Sequence, residues 1–309
     1  MQSFHFLSPL LHDALLCRQQ VTASIGWKLY PGSLLMCQAI EQAAAGAGEG
    51  GGAHRNAGTD ILAAAIQACT RGEGHVLEVG AGVTGLPSLL LSAAGVPCVV
   101  TDVAPILPLL EENLRAAGAT GSRCRAAALT WGTDAEADAC APRTQLIIGA
   151  DVVYHTHLIE PLLSALLRLT EKAENRNTPI LLSYVQRFKR AKTFFKRAQK
   201  WFHVTSVPLG DVVDYDTLSW SRDGGSSATA PAVASPTPRV TSTSANHEAY
   251  CATLLAAATE QARAAAAAAA AAPPPASLPA ADPETSWRRR RKQHRHRSSS
   301  KHSHRDGSS

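Results

Sequence analysis

Residues 75 to 102, HVLEVGAGVTGLPSLLLSAAGVPCVVTD, constrain the fold of this chain more than any other stretch. Val76, Leu77 and Val79 make a short apolar run of the kind that forms a buried parallel strand. Gly80, Gly82 and Gly85 follow as G-x-G-x-x-G, and the apolar stretch from Leu86 to Ala94 reads as the next helix. A second apolar run, Val99 and Val100, ends in Thr101 and Asp102. The order predicts a strand, a tight turn, a helix start with free N–H groups, and a second strand carrying an acid for ribose hydroxyls. Asp102 comes 17 residues after Gly85, close to the roughly 20 that this arrangement uses. A lone glycine motif is weak; bracketed by two strands and a correctly placed acid, it points to a nucleoside-containing cofactor.

Glu78 narrows the choice of cofactor, because it stands two residues before Gly80 and gives E-x-G-x-G. A dinucleotide site must hold a pyrophosphate at this turn, and a neighbouring carboxylate would repel it. S-adenosylmethionine has no phosphate and carries an ammonium and a sulfonium, which an acid beside the turn helps to hold. The plainer reading of Glu78 is a solvated carboxylate at a strand end.

Strand-helix alternation continues beyond this unit. Helices are expected near 84–94 and 105–117, strands near 97–101 and 122–128, and TQLIIGA at 144–150 is another buried strand. Residues 157–172 read as helix, Pro179 to Val185 as strand, Arg187 to Trp201 as a basic amphipathic helix, and His203 to Pro208 as strand. Upstream, Tyr30-Pro31-Gly32 opens a helix that fades into a Gly-rich loop at 46–58, and a second helix runs from Asp60 to Cys69. The predicted fold class is α/β, a Rossmann-like sheet of Val-, Ile- and Leu-rich strands with helices on both faces. Residues 1–23 read as an N-terminal extension, strand or helix.

After Trp220 the composition changes. Residues 221–248 are rich in Ser, Thr, Ala and Pro, and 259–309 hold poly-Ala, poly-Pro and Arg/His/Ser runs. Such stretches have too few large apolar side chains to offset the entropy of ordering, so a disordered insertion and a disordered C-terminal tail are expected. AYCATLLAA, residues 249–257, is read as a last strand, with a stray helix as the alternative. The net charge of +5 is a misleading average, because the residues from Trp287 onward carry +8 and leave −3 for the rest. Any nucleic-acid contact or nuclear address therefore belongs to the tail alone.

Seven cysteines, odd in number and without a C-x-x-C pair, oppose both a disulfide framework and a zinc site. His294, His296, His302 and His304 suggest adventitious metal capture at most, and no metal is expected in the site. The first 17 residues have no basic region and make a poor secretion signal, and nine alanines from Ala264 are too few to span a bilayer. A cytoplasmic or nuclear protein without membrane contact is expected, its oligomeric state left open.

Three further motifs occur in order: G-W-K-L-Y-P at 26–31, L-T-W-G at 129–132, and G-A-D-V-V-Y at 149–154. With E-x-G-x-G and the ribose acid, they resemble the seven-β-strand protein-lysine methyltransferases, specifically the methyltransferase-like 21 group, over roughly residues 24–220. The resemblance implies a seven-stranded sheet, S-adenosylmethionine as cofactor, and a protein side-chain nitrogen as acceptor, with lysine first. It places Tyr30, Glu78, Gly80, Ala81, Gly82, Asp102, Trp131 and Ala150 around the cofactor, and Asp151 and Tyr154 at the acceptor as the catalytic pair. One departure is Tyr30, where the family usually has Trp before the Pro; Trp27 stands three residues earlier.

The chemistry asked of Asp151 and Tyr154 is demanding. A free lysine has a pKa of about 10.4, so at pH 7 only about one in a few thousand is neutral. A site must orient the ammonium, desolvate it and let the proton leave; an acid orients it, and an aromatic face attracts it in a dry channel. The alternative for Asp151 is a cap on the helix after its strand, and for Trp131 a plain core aromatic. Rival functions are methylation of arginine, histidine or a small molecule, and a non-catalytic binding protein built on the same fold. A dinucleotide oxidoreductase is opposed by Glu78 and by the lack of a recognisable Tyr-x-x-x-Lys or His partner.

Overall fold

The computed structural model describes residues 1–21, 24–45, 56–118, 121–171, 177–185, 190–208, 219–221 and 249–256. Most of the Gly-rich loop, the Ser/Pro-rich segment and the basic tail lie outside the described residues, and so do Arg187, Phe188 and Lys189.

Two N-terminal strands, β1 (Gln2–Phe6) and β2 (Leu15–Gln19), pair antiparallel, and β1 also pairs with the three-residue β9 (Ser219–Ser221). The main sheet holds β3 (His75–Val79), β4 (Cys98–Asp102), β5 (Cys124–Ala128), β6 (Thr144–Ala150), β7 (Ile180–Val185), β8 (Phe202–Pro208) and β10 (Ala249–Ala256). Its order is β5-β4-β3-β6-β7-β10-β8. The first five are mutually parallel, whereas β10 runs antiparallel to both β7 and β8. Residues 249–256 therefore sit inside the sheet, between two strands that precede them in sequence.

Among the described residues seven helices cover the sheet: α1 (Pro31–Ala45), α2 (Ala57–Thr70), α3 (Leu86–Ala93), α4 (Leu107–Ala116), α5 (Asp134–Cys140), α6 (Ile159–Glu171) and α7 (Arg190–Ala198). Strand residues alternate between two apolar layers. Val76, Leu146, Ile148 and Leu181 face one layer with α1 to α4, and Leu77, Val79, Ile147 and Leu182 face the other with α5 to α7. This is why the strands read as continuous apolar runs: both faces are covered. Helix α3 is apolar nearly all round, and Leu86, Leu89, Leu90 and Leu91 are fully buried, as befits a helix enclosed by its neighbours.

Two helix boundaries and two elements, α5 and the short β9, differ from the sequence expectation. Helix α2 starts at Ala57 rather than Asp60, because the Asn56 side chain accepts from the Gly58 and Thr59 N–H groups while Thr59 answers with its hydroxyl. That capping box fixes the start. Helix α7 ends at Ala198, before Trp201, and α5 was not expected at all. The N-terminal extension packs into the same core as the parallel sheet: Phe4, Phe6, Leu15 and Cys17 are buried in the α1–α4 layer. Asn113 of α4 fastens it there, accepting from the Arg18 N–H at 2.8 Å and donating to the carbonyls of Arg18 and Val83.

Candidate functional site

The site residues lie at the C-terminal ends of β3, β4 and β6, after β5, and at the start of α1. That edge is where open α/β sheets bind ligands. The turn after β3 is tied down from several directions. The Ala81 N–H donates to the Thr101 carbonyl at 2.9 Å, the Gly82 N–H to the Asp102 carboxylate at 2.8 Å, and the Val83 N–H to the Gly26 carbonyl at 2.8 Å. The Gly85 N–H turns back to the Ala81 carbonyl. Gly82 has φ +64°, and a Cβ there would stand 2.9 Å from the Gly26 carbonyl oxygen. The residue must be glycine both for its backbone and for the strand of chain lying across it.

That crossing chain is the G-W-K-L-Y-P segment, and β2 and its exit hold it. The Leu29 N–H donates to the Gln19 side chain at 2.9 Å, and the Gln20 N–H to the Trp27 carbonyl at 2.7 Å. Both aromatics of the segment are half-buried, with Trp27 packed against the α1–α4 layer and Tyr30 close enough to Tyr154 for its charge to be felt there.

Asp102 closes β4 with both carboxylate oxygens engaged, one by Gly82 and the other by the Val103 N–H at 2.7 Å. Burial raises its pKa above the ordinary carboxylate value, and these two N–H groups oppose the rise. Glu78 is only 1% exposed and points into the α1–α4 layer. One of its oxygens accepts both the N–H and the hydroxyl of Ser88, in the first turn of α3. Burial pushes its pKa up to about 7, with the Ser88 bonds opposing and the Asp102 charge adding. The positive end of α3 thus meets a carboxyl group from inside the protein.

Trp131 lies over the glycine turn, since a Cβ on Gly80 would stand 3.0 Å from its ring. Its ring centroid is 6.3 Å from that of Tyr154, which is 5.1 Å from His155, which in turn stacks on His157 at 5.1 Å. Four rings therefore form a row from the turn to the exposed His157. The Tyr154 hydroxyl is pushed up to about 12, by burial first and then by the charges of Asp102 and Tyr30. Tyr154 is thus close to both sides of the site.

Asp151 follows β6 with φ +53°, a left-handed backbone rare for residues other than glycine. Its N–H donates to the Ser183 carbonyl at 2.8 Å, and its carboxylate accepts from the Gly32 N–H at 2.7 Å. The Ser183 hydroxyl donates to the Gly32 carbonyl at 2.7 Å. A Cβ on Gly32 would come within 2.7 Å of the Asp151 carboxyl carbon. Asp151 is therefore a helix cap, but of α1 rather than of the helix that follows its own strand. Helix α1 has no acid in its first turn, so this carboxylate also meets the positive end of its dipole. Ala150 pairs in register with Ser183 and leads into the same knot.

Tyr30, Gly80, Ala81, Gly82, Asp102, Trp131, Ala150, Asp151 and Tyr154 are thus gathered at one edge, with Glu78 beneath it. Sequence reading missed Gly32, Ser88, Ser183 and Asn113, which position the site. Gly32 had a visible signal, its place just inside a Pro-initiated helix; the two serines had none. Among the described residues no cluster of His, Cys, Asp and Glu is arranged to hold a metal ion.

The chain resembles EEF1A lysine methyltransferase 3 of Mus musculus, 33% identical over 123 residues that make up 40% of this chain and 50% of that protein. It thus spans about half the length of that curated relative. Solved structures with loosely similar folds include the S-adenosylmethionine-dependent methyltransferase from Agrobacterium tumefaciens, at 12% identity and a TM-score of 0.44, covering 82% of this chain and 70% of that one. Another is the O-methyltransferase from Bacillus cereus in complex with SAH, at 12% identity and a TM-score of 0.35, covering 71% and 90%. The match to the family model described as lysine methyltransferase is more extensive. It runs from residue 11 to residue 201, more than half of the 309 residues and the whole of the edge just described, so the chain belongs to the lysine methyltransferase family.

Proposed function

We propose that this chain methylates a protein side-chain nitrogen, lysine first, using S-adenosylmethionine. One observation carries the choice of cofactor: the N–H groups of Ala81, Gly82, Val83 and Gly85 all have acceptors within the protein, and the α3 N-terminus faces Glu78. A pyrophosphate needs such donors for itself. A cofactor without phosphate fits the turn as it stands.

When bound, S-adenosylmethionine supplies a methyl group on a sulfonium, which a nitrogen lone pair can displace. Asp102 is placed to accept from ribose hydroxyls, and Trp131 and Tyr30 to wall the cofactor. Tyr154 presents an aromatic face toward an incoming ammonium, and its half-buried ring favours the desolvation that lowers a lysine's pKa. The Asp151 carboxylate adds charge that orients the ammonium, while its bond to Gly32 keeps α1 and the Tyr30 rim in place. The substrate reading is supported by family membership and by the relative that bears the name of a lysine methyltransferase.

The test is labelled-methyl transfer from S-adenosylmethionine into a proteome extract, with mass spectrometry of the modified residue. A methyl group on lysine is the expected result. A methyl group on arginine, histidine or a metabolite overturns the lysine assignment and leaves the transferase. Binding of NAD with no response to S-adenosylmethionine or its demethylated product in calorimetry overturns both.

A further inference from the structure

We propose that Cys98 and Cys124 form a dithiol modification site, which peroxide closes to a disulfide and a trivalent arsenical bridges. The two residues face each other directly in the parallel register of β4 and β5. Both thiol sulfurs lie 3.6 Å from one acceptor, the Ser88 carbonyl oxygen on α3, and Cys98 Sγ lies equally 3.6 Å from the Val96 carbonyl oxygen. The Cys124 thiol also lies within hydrogen-bonding reach of Cys98. Adjacent strands stand about 4.7–4.9 Å apart, inside the roughly 4.4–6.8 Å Cα separation that a disulfide spans. Among the described residues no other two cysteines are register partners.

The two ends differ in access. Cys98 is only 2% exposed, and burial pushes its thiol well above the usual range. Cys124 is half-buried on β5, an edge strand, between the exposed Arg123 and Arg125. Cys124 is therefore the end that meets an oxidant from solvent, and Cys98 the end that resolves the product.

In the oxidation, the Cys124 thiolate attacks one peroxide oxygen, the O–O bond breaks and hydroxide leaves, giving a sulfenic acid. The Cys98 sulfur then displaces the sulfenic hydroxyl, which departs with the Cys98 proton as water. Two thiols and one hydrogen peroxide give one disulfide and two waters, and the two electrons lost by sulfur reduce the peroxide. With an arsenical oxide no redox change occurs: two As–S bonds replace the As=O bond, and both thiol protons leave in one water. Either product removes both S–H groups beside the Ser88 carbonyl, on the residue whose N–H and hydroxyl hold Glu78.

Hydrogen peroxide added to the full chain under native conditions, followed by alkylation, non-tryptic digestion and mass spectrometry, tests the oxidation. A Cys98–Cys124 linked peptide that dithiothreitol releases is expected. Free, alkylated thiols at both positions, or either cysteine linked elsewhere, overturn the proposal. Phenylarsine oxide tests the dithiol without oxidation: one equivalent is captured by the intact chain and by Cys17→Ser, and none by Cys124→Ser. Capture retained in Cys124→Ser overturns the site. The peroxide arm uses no variant, so a folding defect in Cys124→Ser cannot stand in for a result.

Discussion

The turn after β3 and the ring row beyond Trp131 border the same site but are built by different forces. In the turn, N–H groups at positions 81, 82, 83 and 85 are fixed by acceptors in the protein, and a chain segment crosses within van der Waals reach. In the row, Trp131, Tyr154, His155 and His157 are related by ring contacts of 5.1 to 6.3 Å, the first three half-buried and the last exposed. Backbone hydrogen bonds tolerate little displacement, whereas ring contacts weaken gradually with distance and rotation. The teaching is that a substitution in the turn acts all-or-none, and one in the row acts by degrees.

The sharpest way to break this contrast is Gly82→Val. The side chain must displace the Gly26 carbonyl from a backbone at φ +64°. Complete loss of binding to the demethylated cofactor is expected in calorimetry, with a lower melting temperature. Retained binding would show that the crossing segment moves freely.

Glu78→Gln follows in size and is read in the pH dependence of stability. Burial raises the folded-state pKa of Glu78 from 4.5 to about 7, so the folded chain holds a proton that the unfolded chain releases. The stability from this group is full below about pH 4.5 and is lost as pH rises through about 7. The amplitude is of order 3 kcal/mol. Denaturant midpoints measured across that window should slope downward in the native chain and flatten in Glu78→Gln. An equal slope in both would place the proton elsewhere.

Asp102→Ala should weaken the cofactor by at least about 10- to 100-fold, the equivalent of one lost charge-assisted hydrogen bond at about 1.5–3 kcal/mol. It also releases the Gly82 N–H, so its melting temperature should fall as well. Unchanged affinity would remove Asp102 from the ribose. Asp151→Asn preserves an acceptor for the Gly32 N–H and removes only charge, so stability should drop by no more than about 1 kcal/mol. Cofactor affinity should hold while the rate of methyl transfer falls; full activity would leave Asp151 as a cap alone.

The smallest effect belongs to the row. Tyr154→Phe keeps the ring between Trp131 and His155 and should raise KM for the protein acceptor less than Tyr154→Ala does. Equal losses would mean that the hydroxyl, not the face, meets the acceptor.

The same contrast explains what was legible beforehand. The alternation of strands and helices, the glycine turn and the acid at the end of β4 are local patterns, each written within about thirty residues, and the parallel half of the sheet follows from them. Asp151 was recognised, but its partner Gly32 is 119 positions away, and no local pattern announces a cap on so distant a helix. The same holds for Asn113 binding Arg18 across 95 positions. Helix α5 is only seven residues long, DAEADAC, with small apolar residues and no apolar stripe to mark it. Long-range hydrogen bonds between ordinary polar residues leave no periodicity behind.

The place of β10 has a consequence for how the chain is made. Ribosomes add roughly 5–20 residues per second. The 40 residues between Pro208 and Ala249 therefore impose a wait of about 2–8 s after β8 has been synthesised. Through that interval β7 and β8 have no β10 between them, and each presents open hydrogen-bonding groups to the cell. The nascent protein is then a target for chaperones and for other growing chains, at the very edge that the finished molecule conceals.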